Sequence, residues 1–282
     1  MNLFPLPDQN SNPFFRWVGS KRSLRDQILE VCKREHLLEN ITEYMEPFAG
    51  SGPVALALLA SEDPPSSVTL SDTNQDLVMT WSMVKDEPQV VAALLEQHIA
   101  RNGPEYFQEL RSVRAETLSQ PERAARFLYL LGASFKGLWR TNASGAMNAP
   151  YGHATLAFTS RAQIMSVAHV LRKHRVKILH RPFEITMAAA KKNTLCYCDP
   201  PYLPRSATAS FTGYGPGGFD LHKHYQLAEL ARRSPATVMI SGYANSLTKE
   251  MYKGAECITV ETSHKTGRHR EVVSEGLYLF RK

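Results

Sequence analysis

Residues 195–204, LCYCDPPYLP, bring an aspartate, two prolines and a tyrosine to the end of an apolar run. Proline lacks the ladder N–H and locks φ, so a strand stops there and the backbone stiffens. Asp199 and the carbonyl of Pro200 are then neighbouring acceptors, which suit an NH₂ group with its two donor hydrogens. Pro201 extends the rigid turn, and Tyr202 offers a face on which the ring carrying that amine can stack, as aromatic side chains do with extruded bases. An exocyclic amine on an aromatic ring is a poor nucleophile because its lone pair is delocalised. Acceptors on both protons draw the nitrogen towards tetrahedral geometry and localise that pair. A positioned electrophile completes the transfer by proximity and electrostatics. Without a partner site the same tetrapeptide is only a stiff strand exit.

A second constellation lies upstream. Glu46–Pro47–Phe48 leads into Gly50–Ser51–Gly52, and Asp72 follows 20 positions after Gly52. Glycines permit a tight turn and a ligand against the backbone, and an acid at the end of the next strand can accept both hydroxyls of a ribose. Together they suggest an adenosine-containing cofactor; alone they also fit an ordinary tight strand-to-helix turn. The full G-x-G-x-x-G dinucleotide fingerprint is missing, as is the G-K-[ST] of a P-loop. Ala49 stands where a serine-hydrolase elbow needs glycine.

The elements that must carry these groups alternate. Residues 23–38 place Leu24, Ile28 and Val31 on one helical face. Strands are expected at 43–48 and 67–72, with a helix from the glycine turn between them and another after Asp72. From 86 to 136 the pattern is helical, broken at Pro88, Gly103–Pro104 and Pro121, and 137–152 has hairpin chemistry around NASG. Alternation resumes with a helix near 160–173, strands at 176–179 and 194–199, a helix near 220–233, a strand at 236–241 and a helix near 245–252. Segments 257–262 and 274–280 are expected as an antiparallel hairpin at the sheet edge. The fold class is therefore α/β with a largely parallel, Rossmann-like sheet. A catalytic domain of 14–85 and 153–282 is interrupted by an inserted, mainly helical subdomain at 86–152, after a flexible arm at 1–13.

The chain has 282 residues, 43% of them hydrophobic and 21% charged, which excludes an intrinsically disordered protein. A net charge of +6 favours a polyanionic partner such as nucleic acid without identifying one. The longest apolar runs, such as VALALLA at 54–60, are too short for a membrane span, and the N-terminus lacks the basic and apolar regions of a signal peptide. Cys32, Cys196, Cys198 and Cys257 form no C-x-x-C pair, so no zinc site is expected and no metal is implied. Cys196 and Cys198 alternate along a strand as small buried residues, in keeping with a reducing cytoplasm. His222 and His224 flank Lys223 at a helix start and read as surface residues.

Four segments in order resemble the Dam-like (α-group) family of DNA adenine N6-methyltransferases. FFRWVGSKRSL (14–24) resembles its F-x-K-W-x-G-G-K motif, EPFAGSG (46–52) its F-x-G-x-G turn, LSDTNQDL (70–77) its D-x-N segment, and DPPY (199–202) matches its catalytic motif letter for letter. The resemblance spans about 14–280 and implies S-adenosylmethionine as methyl donor and a flipped adenine in double-stranded DNA as acceptor. It implies that Trp17 and Lys21 line the methionine end of the cofactor, with Lys21 near its carboxylate. The backbone around Phe48, Gly50 and Gly52 would hold the methionine portion, Asp72 the ribose, and Phe183 the adenine. Asp199, Pro200 and Tyr202 would hold the target base, with Asp199 also bordering the cofactor. Arg16 and Ser20 depart from the motif's lysine and glycine, and Pro182–Phe183–Glu184 from its Asp-Phe.

FKGLWRTNASGAMNAPYG (135–152) resembles the family's recognition hairpin, with Lys136 in place of asparagine and Met147 in place of an aromatic or aliphatic residue. Arg140 and Asn142 fall where side chains reach base edges in the major groove; a phosphate contact is the alternative for Arg140. The glycine-rich loop 205–219, with Phe211, Tyr214 and Phe219, resembles the segment that closes over the flipped base. Lys265, Arg268 and Arg270 precede the last strand, where they would meet phosphates or simply face solvent. The expectation is a cytoplasmic, monomeric, site-specific adenine methyltransferase of the kind found in restriction–modification systems. The alternatives are an RNA adenine methyltransferase and a non-catalytic DNA-binding regulator with the same fold.

Overall fold

The computed structural model describes residues 13–142, 145–203, 219–266 and 269–282. The first two strands, β1 (Glu43–Glu46) and β2 (Ser67–Asp72), are short, mostly buried and joined through helix α2 (Pro53–Leu59). Their partners are β3 (Val176–His180), β4 (Thr194–Cys198), β5 (Thr237–Tyr243), β6 (Glu256–Thr266) and β7 (His269–Phe280). They form one seven-stranded sheet in the order β3-β2-β1-β4-β5-β7-β6, parallel except for β7, which runs antiparallel to both β5 and β6. The expected hairpin is present and longer than anticipated. β6 is the edge strand, while β7 lies inside, against β5.

Every residue of β4 is buried, as a strand covered on both faces requires. Its side chains alternate between two cores. Leu195 and Tyr197 face one apolar cluster and Cys196 and Cys198 the other; Leu277 and Leu279 of β7 alternate with Tyr278 and Phe280 in the same way. The first cluster takes up α1 (Arg25–Arg34), α2, α3 (Gln75–Asp86), α4 (Pro88–Ala100), α5 (Pro104–Ser112), α6 (Gln120–Ala133) and α7 (Arg161–Lys173). The second takes up α8 (Phe183–Ala188), α9 (Leu221–Arg233) and α10 (Ser246–Met251). The result is a sheet between two helical layers.

The helices of 86–133 share the first core. α6 packs on α3, α4 and α5, and its residues from Ala124 to Ala133 are all buried. Phe127, Trp139 and Phe107 join the same cluster as Phe14, Tyr44 and Trp81. A capping box between Ser119 and Glu122 starts α6, with Pro121 in its first turn, where a missing N–H is harmless. After α6, Ser134 pairs with Tyr151 and Thr141 with Met147, both antiparallel, which is the expected hairpin in short form. Among the described residues, no helix is long and apolar enough to cross a membrane.

Candidate active site

β1 and β4 are neighbours, with Met45 opposite Cys196, although much of the chain separates them. β1 connects onward to β2 on its other side, so strand order reverses between β1 and β4. Ligands of open α/β sheets bind at such a reversal, beyond the carboxyl ends of the strands. The glycine turn leaves β1 there, and Asp199 leaves β4 there. The N-terminal segment ties the two together: Ser20 Oγ is 2.8 Å from Ser51 Oγ in the turn, and the next residue's Lys21 Nζ is 2.8 Å from Asp199 Oδ1. Ser20, a departure from the family motif, thus gains a contact that glycine lacks.

The turn is built from left-handed glycines, Gly50 at φ +47° and Gly52 at φ +55°. A Cβ on Gly50 would sit 2.8 Å from Trp17 Cδ1, and one on Gly52 would sit 3.2 Å from Trp81 Cζ2. The two indoles, rather than open ligand space, cover the turn on those sides. Trp81, 1% exposed, also donates from Nε1 to the Gly50 carbonyl at 2.9 Å. Truncating such a buried ring costs about 3–5 kcal/mol. Asp72 fastens the turn from the next strand: Oδ2 accepts from Gly50 N at 3.1 Å and Oδ1 from Asn74 N at 2.9 Å. Burial raises the Asp72 carboxyl above its ordinary value against the pull of these N–H groups. Each oxygen keeps a second lone-pair direction for a hydroxyl donor. Phe48 and Phe183 stack with centroids 5.3 Å apart, and Phe219 closes edge-on at 5.3 Å from Phe48. Phe183 opens α8, a helix that sequence reasoning did not anticipate.

The acidic corner is buried. Desolvation raises the Asp199 carboxyl, and Lys21 counters it. Burial would lower the Lys21 ammonium, but Asp199 and then Glu275 outweigh it, so it is held above its ordinary value. Lys21 Nζ also lies 4.4 Å from the centre of the Tyr202 ring and 3.9 Å from Glu275 Oε2. Tyr202 donates its hydroxyl to Glu275 Oε2 at 2.6 Å, and its ring meets Tyr243 edge-on at 4.9 Å. Glu275 pairs in register with Tyr243, so the antiparallel β7 delivers it to this corner. Glu46 completes the acidic set. Its Oε1 accepts from Tyr44 Oη at 2.7 Å and Ala55 N at 2.9 Å, and burial pushes its carboxyl up to about 8.

Two residues of this region escaped the sequence reading. Glu275 had no local signal, being one acid in a β-hairpin. His224 was read as a surface residue, whereas only His222 is exposed and His224 is 3% exposed. α9 turns His224 inward: Nε2 lies 3.0 Å from the Pro201 carbonyl and Nδ1 3.1 Å from Tyr252 Oη. A carbonyl only accepts, so Nε2 carries the proton and Nδ1 accepts from Tyr252. The exit of β4 is thereby clamped to α9 and α10. The helical period that places Leu227, Ala228 and Ala231 on the buried face includes His224 and was the available signal.

The hairpin residues lie on an exposed surface. Lys136 takes a left-handed backbone at φ +54° beside Phe135, which is 45% exposed. Arg140 donates from Nε to Asn148 Oδ1 at 2.7 Å and from Nη2 to the Asn148 carbonyl at 3.3 Å. Asn142 closes the turn, its Oδ1 accepting from Ala146 N at 3.0 Å. In the β6–β7 hairpin Lys265 stands in register with Arg270; their side chains, and Arg268 altogether, lie outside the described residues. So do Phe211 and Tyr214.

Comparison with known proteins identifies the family. Residues 17–266 match the family model of the D12 class N6 adenine-specific DNA methyltransferases. The chain is 31% identical over 275 residues to the type II methyltransferase M1.LlaDCHI of Lactococcus lactis subsp. cremoris, covering 95% of this chain and 93% of that one. It is 30% identical over 283 residues to the DNA adenine methylase of Escherichia coli, covering 97% and 96%. The DNA adenine methylase of Vibrio cholerae is 30% identical over 276 residues, covering 95% of each chain. These matches do not favour the RNA-directed and non-catalytic alternatives. With the match running from Trp17 through Asp199–Tyr202 to the end of β6, the chain belongs to the D12 class N6 adenine-specific DNA methyltransferase family.

Proposed function

We propose that this protein transfers the methyl group of S-adenosylmethionine to N6 of an adenine extruded from double-stranded DNA. The observation that carries the reading is the meeting of the glycine turn and the acidic corner at one strand reversal, with Ser20 on the first and Lys21 on the second.

The residues present fit the cofactor. The carboxyl groups of Asp199 and Glu275 lie 2.8 and 3.9 Å from one ammonium, Lys21, while burial pushes Glu46 up to about 8. Asp72 retains acceptor capacity for two ribose hydroxyls, and Phe48, Phe183 and Phe219 form an aromatic wall for a purine. Bound there, S-adenosylmethionine supplies an electrophilic methyl group on a cationic sulfur.

This chain's residues do the rest. Asp199 accepts one hydrogen of the target amine and the Pro200 carbonyl the other, while the Tyr202 ring holds the purine plane. Burial raises the Asp199 carboxyl and makes it the better proton acceptor, so it takes the proton that the amine sheds. His224 keeps the Pro201 carbonyl from turning into the pocket. On the DNA side, Lys136, Arg140 and Asn142 of the segment 86–152 approach the duplex in the major groove, and Lys265, Arg268 and Arg270 its phosphates. The test is transfer of a tritiated methyl group to unmethylated duplex DNA, single-stranded RNA and duplex RNA, followed by mapping of N6-methyladenine. The expected result is label in duplex DNA at one recurring sequence. Asp199→Ala should abolish it while S-adenosylmethionine binding by calorimetry persists; label confined to RNA, or full activity of Asp199→Ala, refutes the reading.

A further inference from the structure

Lys21 occupies the seat proposed for the target amine. Its Nζ is 2.8 Å from Asp199 Oδ1 and 4.4 Å from the centre of the Tyr202 ring, so one nitrogen takes both the acceptor and the aromatic face. A purine stacked on Tyr202 with its amine on Asp199 cannot share that space. The ammonium has to leave, and its side chain is only 8% exposed. Stripping a buried charge of its partner is unfavourable and opposes entry of the base.

A second carboxylate is within reach of the same nitrogen. Glu275 Oε2 is 3.9 Å from Lys21 Nζ, and its side chain is 7% exposed. That pair is already loosely formed, and rotation of the side-chain bonds carries the ammonium off Asp199 and onto Glu275 at hydrogen-bond distance. The exchange moves no proton and leaves the charge of the pocket unchanged. Glu275 also holds the Tyr202 hydroxyl at 2.6 Å, so the acid that would receive the lysine is the one that orients the stacking ring. We propose that Glu275 is a positioning residue of the methyl transfer: it receives the Lys21 ammonium as the target adenine enters, which frees Asp199 and the face of Tyr202. The inference rests on the reading of Asp199 and Tyr202 as the seat of the base.

The experiment uses the full chain and a duplex carrying its mapped site, with 2-aminopurine in place of the target adenine as a fluorescent reporter of base extrusion. Glu275→Gln keeps an acceptor for Tyr202 and removes the charge that receives Lys21. It should cut the fluorescence rise and raise KM for DNA on the order of tenfold, equivalent to about 1.4 kcal/mol. S-adenosylmethionine binding by calorimetry should stay at the wild-type value. Adding Lys21→Met should restore most of the fluorescence rise, because no ammonium remains to be housed. Lys21→Met alone, which does not depend on a foldable Glu275 variant, should extrude the base at least as well as wild type. An unchanged rise in Glu275→Gln, a double variant no better than Glu275→Gln, or a loss of extrusion in Lys21→Met overturns the proposal. If wild type methylates adenine and Asp199→Ala does not, such a failure belongs to Glu275 alone. If wild type methylates no adenine, the reading of the seat falls and this inference with it.

Discussion

His224 makes the acidic corner pH-sensitive in a way that can be measured as stability. The imidazole is buried, donates from Nε2 to the Pro201 carbonyl and accepts at Nδ1 from Tyr252. Protonation would turn the accepting nitrogen into a donor facing a donor. Desolvation is the larger cause and lowers the group from 6.5 to about 4, against smaller upward pulls from the Pro201 carbonyl and Asp220. In the unfolded chain the imidazole takes up a proton as pH falls through about 6.5; in the folded chain it does so only near 4. Between these values the unfolded state binds more protons. The contribution is therefore fully present above 6.5, and is lost as pH falls towards 4. Linkage gives a loss of about 2 kcal/mol at pH 5 and about 3 kcal/mol in total. His224→Gln keeps a donor for Pro201 and an acceptor for Tyr252 but does not titrate. Urea unfolding of both proteins at several pH values isolates the effect. The stability difference, wild type minus variant, should shrink by about 2 kcal/mol between neutral pH and pH 5. Asp72, Asp199 and Glu46 have raised folded values, which add stability on acidification, but they act in both proteins and cancel in the difference. A difference that stays flat, or grows on acidification, refutes the buried neutral histidine.

Further outcomes follow from the glycine turn and the hairpin. Gly50→Ala should destabilise the fold by about 2–4 kcal/mol, because it combines a left-handed backbone with a clash on Trp17, and the cost should shrink in a Trp17→Ala background; additive losses by thermal unfolding would exclude the indole as the cause. Arg140→Ala should relax site choice by about 1–3 kcal/mol at one base pair in methylation competition assays, whereas uniform weakening across sequences would assign Arg140 to a phosphate.

Much of the scaffold was legible from local chemistry. Buried strands announced themselves as short apolar runs, and helices as apolar positions at turns of 3.6 residues. The prolines after Asp199 and the glycines after Phe48 marked where the chain must stop or bend. These signals act within a few residues, so residue types alone carry them. His224 shows where they thin out, since a polar residue on an apolar helical face reads equally as surface or as core.

What the sequence by itself determined is the pair of rigid exits, Gly50–Gly52 and Asp199–Tyr202, each at the end of a strand. Only tertiary structure decided that β4 lies beside β1, which sets those exits against each other. It also decided that Glu275, 73 residues beyond Tyr202, would hold the tyrosine, that Lys21 would reach Asp199, and that two indoles would roof the glycines. The reason is physical: strand order and side-chain partners across the sheet come from packing a whole core at once, and no stretch of a few residues encodes which distant surface will cover it.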